Sequence, residues 1–177
     1  MKGDDDVILV HDIKQGDEQA FNRLFDKYRV PVYSICYRFI RNEADAREIT
    51  QDVFIKIYRN ISKYNERAKF FTWLYRIAVN TCISYKRRQK SHIPYHESIG
   101  EQHVDPESLH DKIIARKIID EALMKLPDRQ RTALILRHFE GHTFKEIGEA
   151  MGITTGAAKA NHYQAILKLR DYLKGLI

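Results

Sequence analysis

Cysteine, proline, glycine and tryptophan are all scarce in this chain: its 177 residues hold two, four, eight and one of them. Cys36 and Cys82 stand singly, without a Cys-x-x-Cys pair, so they read as small buried hydrophobes in a reducing compartment and argue against a disulfide scaffold. The shortage of proline and glycine leaves long stretches free to be helical. No apolar run is long enough to cross a bilayer. Met1 to Asp6 is acidic where a secretory signal is basic and then apolar, so the expected location is the cytoplasm. A glycine-rich phosphate loop is missing, and no Ser-His-Asp or Cys-His arrangement can be placed, so no enzyme, cofactor or small-molecule substrate is expected. What remains is 44% hydrophobic and 31% charged residues, enough for one mid-sized domain or two small ones.

The net charge of +6 is unevenly spread. Residues 63–90 carry a net +7 and residues 113–177 a net +4, whereas the stretch between them, 92–112, carries −4. Two basic blocks flanking an acidic connector suggest two anion-binding modules on a tether, although scattered surface charge would give a similar count.

Apolar periodicity is helical nearly everywhere, so the expected fold class is all-α: two small helical domains joined by a flexible linker. A first helix is expected from about Val7 to Gln15, ended by Gly16-Asp17, with a second from Glu18 that Pro31 perturbs. Ile49, Val53, Ile57 and Ile61 mark a third, with Glu48, Asp52 and Lys56 on its polar side. After a polar loop, Ser62 to Lys69, the residues Phe70, Phe71, Leu74, Ile77, Thr81 and Tyr85 mark a fourth that ends in Lys86-Arg87-Arg88. Ser91 to Asp111 holds two prolines, five acids and four histidines and reads as a linker, which at about 3.3 Å per extended residue could hold two domains up to roughly 65 Å apart. Beyond it, a helix Ile113 to Leu126 stops at Pro127, and Arg129 to Phe139 forms another.

The sharpest local pattern is Gly141 to Leu173. Thr143 can cap a short helix with Phe144, Ile147 and Ala150. Gly152 can make the tight turn, and Thr154 or Thr155 can cap the longer helix that follows. This is a helix-turn-helix pattern, which a plain helical hairpin could share. Ala158, His162, Ala165 and Leu169 form the inward stripe of the second helix. Lys159, Ala160, Tyr163 and Gln164 face outward, as a helix reading a DNA major groove requires.

Several strings, in this order and spacing, carry a resemblance. They are Asp17-Glu18-Gln19-Ala20-Phe21 with Leu24-Phe25, then Ala44 to Phe54, Phe71 to Asn80, Leu126-Pro127 with Arg131, and Gly141 to Gly148. Together they resemble the sigma-70 family of RNA polymerase sigma factors, in its extracytoplasmic-function (ECF) group. The resemblance implies a region 2 domain over residues 1–90, a linker over 91–112 and a region 4 domain over 113–177. It implies core RNA polymerase and promoter DNA as partners, together with an anti-sigma factor that holds the protein inactive.

The resemblance also assigns roles. Asp45, Glu48, Gln51, Asp52 and Arg59 correspond to the polymerase-docking surface, where complementary charge orients binding; an Asp52–Lys56 pair on a solvated face is the plain alternative. The loop 62–69 corresponds to the one that receives a flipped base, so Tyr64 is expected to stack on it and Asn65 and Glu66 to bond its edge, unless Tyr64 only packs the loop. Asn80 corresponds to a minus-ten contact, and Lys86, Arg87 and Arg88 to a phosphate-binding helix end. Phe70-Phe71-Thr72-Trp73 could be presented as a stacking platform for nucleic acid, but aromatics at this density on a helix are mostly core, so Phe71 and Trp73 are read as core. For the minus-thirty-five element the candidates are Arg131, Thr143, Lys145, Thr155, Lys159, Ala160, Tyr163 and Gln164. Ala158-Lys159-Ala160-Asn161 departs from the Val-Lys-Ser-Arg usual in the family, which shifts the readout toward Lys159, Tyr163 and Gln164. His162 is expected in the core.

Two other classes stay open at this point. A stand-alone helix-turn-helix regulator would use Gly141 to Leu173 but leaves the aromatic, basic helix Phe70 to Lys90 without a purpose. A metal-dependent hydrolase would need His92, His96, His103 and His110 to converge. Their spread over a Pro-interrupted stretch does not suit the fixed shell that zinc requires, so no metal is expected.

Overall fold

The computed structural model describes residues 4–92 and 118–175, and all regular structure among them is helical. The order is α1 (Asp4–Lys14), α2 (Glu18–Ile40), α3 (Glu43–Asn60), a 3-10 turn (Ile61–Lys63), α4 (Phe70–His92), α5 (residues 118–125), α6 (Asp128–His138), α7 (Phe144–Met151) and α8 (Thr155–Lys174). The connector histidines His96, His103 and His110, and the side chain of His92, lie outside the described residues. Among the described ones, no three metal-capable side chains cluster.

Local chemistry explains the helix ends of the first lobe. Asp17 accepts hydrogen bonds from the amides of Gln19 (2.8 Å) and Ala20 (3.1 Å), and Asn42 accepts one from Asp45 (3.0 Å), satisfying amides that a helix start leaves free. Gly16, at φ 94°, makes the left-handed turn between α1 and α2. Pro31 does not perturb α2, contrary to expectation: the helix runs through it without a break. The proline forfeits one bond to the Lys27 carbonyl, and the burial of Val32, Ile35, Cys36 and Phe39 just beyond it offsets that loss.

Leu24, Val32, Ile35 and Phe39 of α2 meet Ile49, Val53 and Ile57 of α3 and Leu74 and Ala78 of α4 in one apolar core. Cys36 and Cys82, both fully buried, bring their thiols together from α2 and α4. In α1, the buried carboxylate of Asp6 accepts from the Tyr28 hydroxyl at 2.6 Å and pairs with Lys27, so the helix is tied to α2. Burial and that neighbouring carboxylate push the Tyr28 phenol well above its ordinary range.

The second lobe has a smaller private cluster, Leu123, Leu126 and Leu134 with Ala165 of α8. Its polar cement is Arg131, whose guanidinium donates to the carbonyls of Leu123 (2.7 Å), Met124 and Leu126 (2.8 Å). These carbonyls lie at and just beyond the end of α5, and the one of Leu123 also accepts from the Leu126 amide at 3.1 Å. Burial lowers the Arg131 pKa, and Asp128 at 3.6 Å opposes that shift. Thr143 and Glu146 form a reciprocal capping box at the start of α7. Gly152, at φ 65°, ends α7, and Thr154 caps α8 by accepting from the Ala157 amide. Gly148 permits the close turn, because a Cβ there would stand 2.8 Å from the Ile153 carbonyl oxygen.

The lobes, expected on a tether, are in contact. Arg41 pairs with Asp120 at 2.6 Å, Lys69 with Glu146 at 2.9 Å and Arg38 with Glu140 at 3.8 Å. The ring of His142 lies flat on Phe71, centroids 4.7 Å apart. Ile135, Leu136, Ile147 and Ala158 belong to the same continuous apolar cluster as the first lobe.

Candidate nucleic-acid interface

Three surfaces carry the expected site residues. The first is the outer side of α3. Glu48, Gln51 and Arg59 are exposed there, and Asp45 and Asp52 are half-buried. Lys56 does not turn to Asp52 but donates to the Thr81 hydroxyl at 3.1 Å. The Tyr85 hydroxyl reaches Asp45; burial and that carboxylate together push its pKa up to about 12. Missing from the sequence-based set are Ile55 and Tyr58, 47% and 55% exposed. Positions 48, 51, 52, 55, 58 and 59 fall on one face at helical spacing, so acidic and apolar groups lie side by side on it. Only the excess of apolar residues over a single inward stripe could have signalled this.

The second surface is a groove of about 340 Å3 between α3 and α4, lined by Lys56, Asn60, Lys63, Trp73, Ile77, Asn80, Thr81 and Ser84. Asn80 is exposed, and Trp73 is half-buried two helical turns before it. Asn60 donates to the Lys56 carbonyl at 2.9 Å and accepts from Lys63 at 3.0 Å. The groove therefore offers an aromatic face, amide donors and acceptors, and two ammonium groups. That combination suits a nucleobase and its phosphate. Lys56 and Asn60 come from α3, Lys63 from the 3-10 turn and Ser84 from α4, and nothing in the sequence marks them as sharing a groove.

Beside the groove runs the loop 64–69. Tyr64 is not a stacking platform for a base, because it is only 4% exposed. Its ring packs edge-on against Phe70 and tilted against Trp73, both at 5.5 Å, while its hydroxyl donates to the Ala68 carbonyl at 2.7 Å. An aromatic next to two others finds more apolar surface inward than outward. Asn65 and Glu66 do stand exposed, with Glu66 in the left-handed region at φ 61°. Arg87 and Arg88 are exposed at the end of α4; Lys86 is half-buried and pairs with Asp128 at 3.6 Å.

The third surface is the helix-turn-helix. Thr155, Lys159, Ala160, Tyr163 and Gln164 are all exposed on the outer side of α8, and Thr143 and Lys145 are exposed beside it on and before α7. Arg131 is not a phosphate anchor: at 1% exposure its guanidinium is spent on the α5 carbonyls. His162, expected in the core, is only half-buried: its ring meets Phe144 edge-on at 5.2 Å, and its Nε2 lies 2.9 Å from Nε2 of His138 at the surface. The rings are nearly coplanar, with centroids 5.0 Å apart. That separation is close to the nitrogen distance plus the two ring radii, so the rings meet edge to edge through one N–H···N bond. Burial, His138 and Arg137 all lower the His162 pKa.

Contact between the lobes uses another side of α4. Phe71 and Tyr75 lie about half a turn round the helix from Trp73 and Ile77, so the groove stays uncovered. Tyr75 donates to Glu140 at 3.3 Å. Burial tends to raise the Glu146 carboxyl, but the Lys69 ammonium and the capping bonds of Thr143 outweigh it and hold the pKa at about 2. His142 is lowered by burial and by Lys69, against the pull of Glu146.

The chain matches the family model for sigma-70 region 2 over residues 24–92 and that for sigma-70 region 4 over residues 116–169. It is 31% identical to the ECF RNA polymerase sigma factor SigW of Bacillus subtilis, over 94% of this chain and 96% of that one. With the ECF sigma-E factor of Haemophilus influenzae it shares 30%, over 97% of each, and with that of Escherichia coli 31%, over 97% and 96%. Among solved structures, CnrH in complex with the cytosolic domain of CnrY has the same fold, with a TM-score of 0.76 at 22% identity over 97% of this chain and 99% of CnrH. The sigma factor RpoE of Bartonella quintana, solved with the anti-sigma factor NepR, has a TM-score of 0.67 at 19% identity over 87% and 96%. The chain belongs to the ECF group of the sigma-70 family, and it works as an alternative sigma factor that binds core RNA polymerase and directs initiation at its promoters.

Proposed function

We propose that the two lobes divide promoter recognition. In this reading residues 1–90 hold the polymerase and open the minus-ten element, residues 91–112 connect, and residues 113–177 read the minus-thirty-five element. The observation that carries it is the groove of Trp73, Asn80, Lys56 and Lys63 next to an exposed Asn65-Glu66 loop. A duplex base cannot enter such a groove, but a base turned out of the stack can. Aromatic and amide contacts then offset an unstacking cost of a few kcal/mol. Arg87 and Arg88 supply backbone attraction without base choice. On α8, Lys159, Tyr163 and Gln164 read the upstream duplex, and the amide of Gln164 can bond adenine bidentately. Thr143 and Lys145 meet phosphates.

The acidic and apolar face of α3, with Glu48, Gln51, Asp52, Ile55 and Tyr58, docks the polymerase. An anti-sigma partner that covers this face would silence the protein, and the solved complex of the related RpoE with NepR supports expecting one. The protein's work is differential binding rather than bond chemistry, and it is done in the cytoplasm, where polymerase and DNA are. No helix among the described residues is long and apolar enough to cross a membrane.

Mixing the purified chain with core polymerase free of sigma, then assaying co-elution and transcription from random promoters, tests the whole reading. Co-elution with a transcribed subset of templates is expected, and Asn80→Ala should weaken opening at those templates while leaving co-elution intact. No co-elution, with tight duplex binding by the free protein, would replace it with a stand-alone regulator.

A further inference from the structure

Helix α1 has no part in the surfaces above, yet it touches the loop beside the groove. Its N-terminal half is fixed to α2 by Asp6, which is 1% exposed and bonded to Tyr28 and Lys27. Val10 and Ile13 bury its inner side. At its far end Lys14 reaches across fifty residues of sequence, and Nζ donates to the main-chain carbonyl of Tyr64 at 2.7 Å while lying 5.9 Å over the centre of that ring.

Tyr64 is the stem of the loop. Its carbonyl is held by Lys14, its hydroxyl closes the loop onto Ala68, and its ring braces Trp73, which lines the groove. Asn65, Glu66 and Arg67 are the exposed tip between these two anchors, and within it the Arg67 amide makes a long 3.4 Å contact with Asn65 Oδ1. A tip with so weak a bond of its own takes its position from its stem. A charged donor to a partly buried carbonyl is among the stronger single bonds available for that purpose.

We propose that Lys14 is a positioning residue for base capture: from α1 it sets the Tyr64 stem, and through it the height of the Asn65-Glu66 tip and the tilt of Trp73 at the groove. The proposal rests on the capture reading of the loop and groove given above. It requires Lys14 to act on opening and on choice of the captured base, and not on polymerase affinity, because Lys14 lies on neither the α3 face nor α8.

The test uses the full chain with core polymerase and a promoter selected by the transcription assay, carrying 2-aminopurine at the melted position. Opening is read as fluorescence gain, and base choice as the ratio of opening between the preferred base and its substitutes. Lys14→Met keeps the apolar stem and removes the donor. It should lower the extent of opening about tenfold and flatten the base ratio, with core co-elution unchanged, and Lys14→Arg should restore both readouts. Opening and base ratio equal to the parent in Lys14→Met would overturn the proposal. So would a loss matched by core affinity, or one that Lys14→Arg does not repair. A paired Asn65→Ala, Glu66→Gln variant separates this from the underlying reading. If that variant opens and discriminates like the parent, base capture by the loop is wrong. If it loses discrimination while Lys14→Met does not, only the role of Lys14 is wrong.

Discussion

The two lobes are built on different principles. The first is held by a broad apolar core in which Leu24, Val32, Ile35, Phe39, Ile49, Ile57 and Leu74 are all essentially unexposed. The second has a four-residue apolar cluster of its own and depends on polar fastenings: Arg131 on three carbonyls, the Thr143–Glu146 box and the His138–His162 bond. Ile135, Leu136 and Ile147 complete their burial in the cluster shared with the first lobe. A short helical unit with little apolar surface needs directional bonds to set its helices, and such bonds fail more abruptly than packing when one partner is removed.

The sharpest way to break this contrast is at Arg131. Arg131→Met is expected to strand the Met124 and Leu126 carbonyls, leave Leu123 with its one bond from the Leu126 amide, and cost roughly 4 kcal/mol, given about 1–3 kcal/mol per unsatisfied group. Urea unfolding followed by hydrogen exchange should show the loss in residues 118–175, with α2 to α4 still protected. Leu24→Ala is the matching change in the first lobe. A cavity in a close-packed core should cost about 3 kcal/mol, read as a lower midpoint, with protection lost first in α2 to α4. Equal spread of either effect over both lobes would dissolve the distinction.

A smaller effect is expected from Gly148→Ala. Its Cβ must displace the backbone oxygen of Ile153, so about 2 kcal/mol should be lost from the second lobe, with weaker upstream-element binding in a gel-shift titration of the holoenzyme. The smallest is a pH dependence. His142 and His162 have folded pKa values below the ordinary 6.5, so the unfolded chain takes up protons first. Their contribution is complete above about pH 6.5 and is lost as pH falls below it toward the depressed folded values. Scanning calorimetry between pH 7.5 and 5.5 should show a falling midpoint for the second lobe. His142→Gln, which cannot titrate, should flatten part of that slope. A flat slope in the parent would remove the histidines from the account.

Much of this architecture is legible in the chain because its causes are local. Asp17 and Thr143 each precede an apolar run by the spacing of a cap, and each accepts an amide hydrogen bond there. Gly152 marks the turn because the left-handed region favours glycine. Asn80 is exposed in a groove, as an amide in an apolar run suggests. Tyr64 and Arg131 fail as sequence-based candidates for one reason. A tyrosine in a polar loop and an arginine on a helix both look available, and each was claimed by something distant: Phe70 and Trp73 for the ring, the α5 carbonyls for the guanidinium. Pro31 misleads in the opposite sense, since its local penalty is real and tertiary burial overrides it.

By itself the sequence determined the helices, their caps, the basic and acidic blocks and the family, since these depend on residues three or four apart or on strings read in order. Only the tertiary structure decided that Cys36 meets Cys82, that His142 lies on Phe71, that Lys56 and Lys63 share a groove with Asn80, and that Lys14 reaches Tyr64. Each of those pairs is separated by more than a helical turn, and which distant side chains meet is chosen by the packing of whole helices rather than by any residue's own preference.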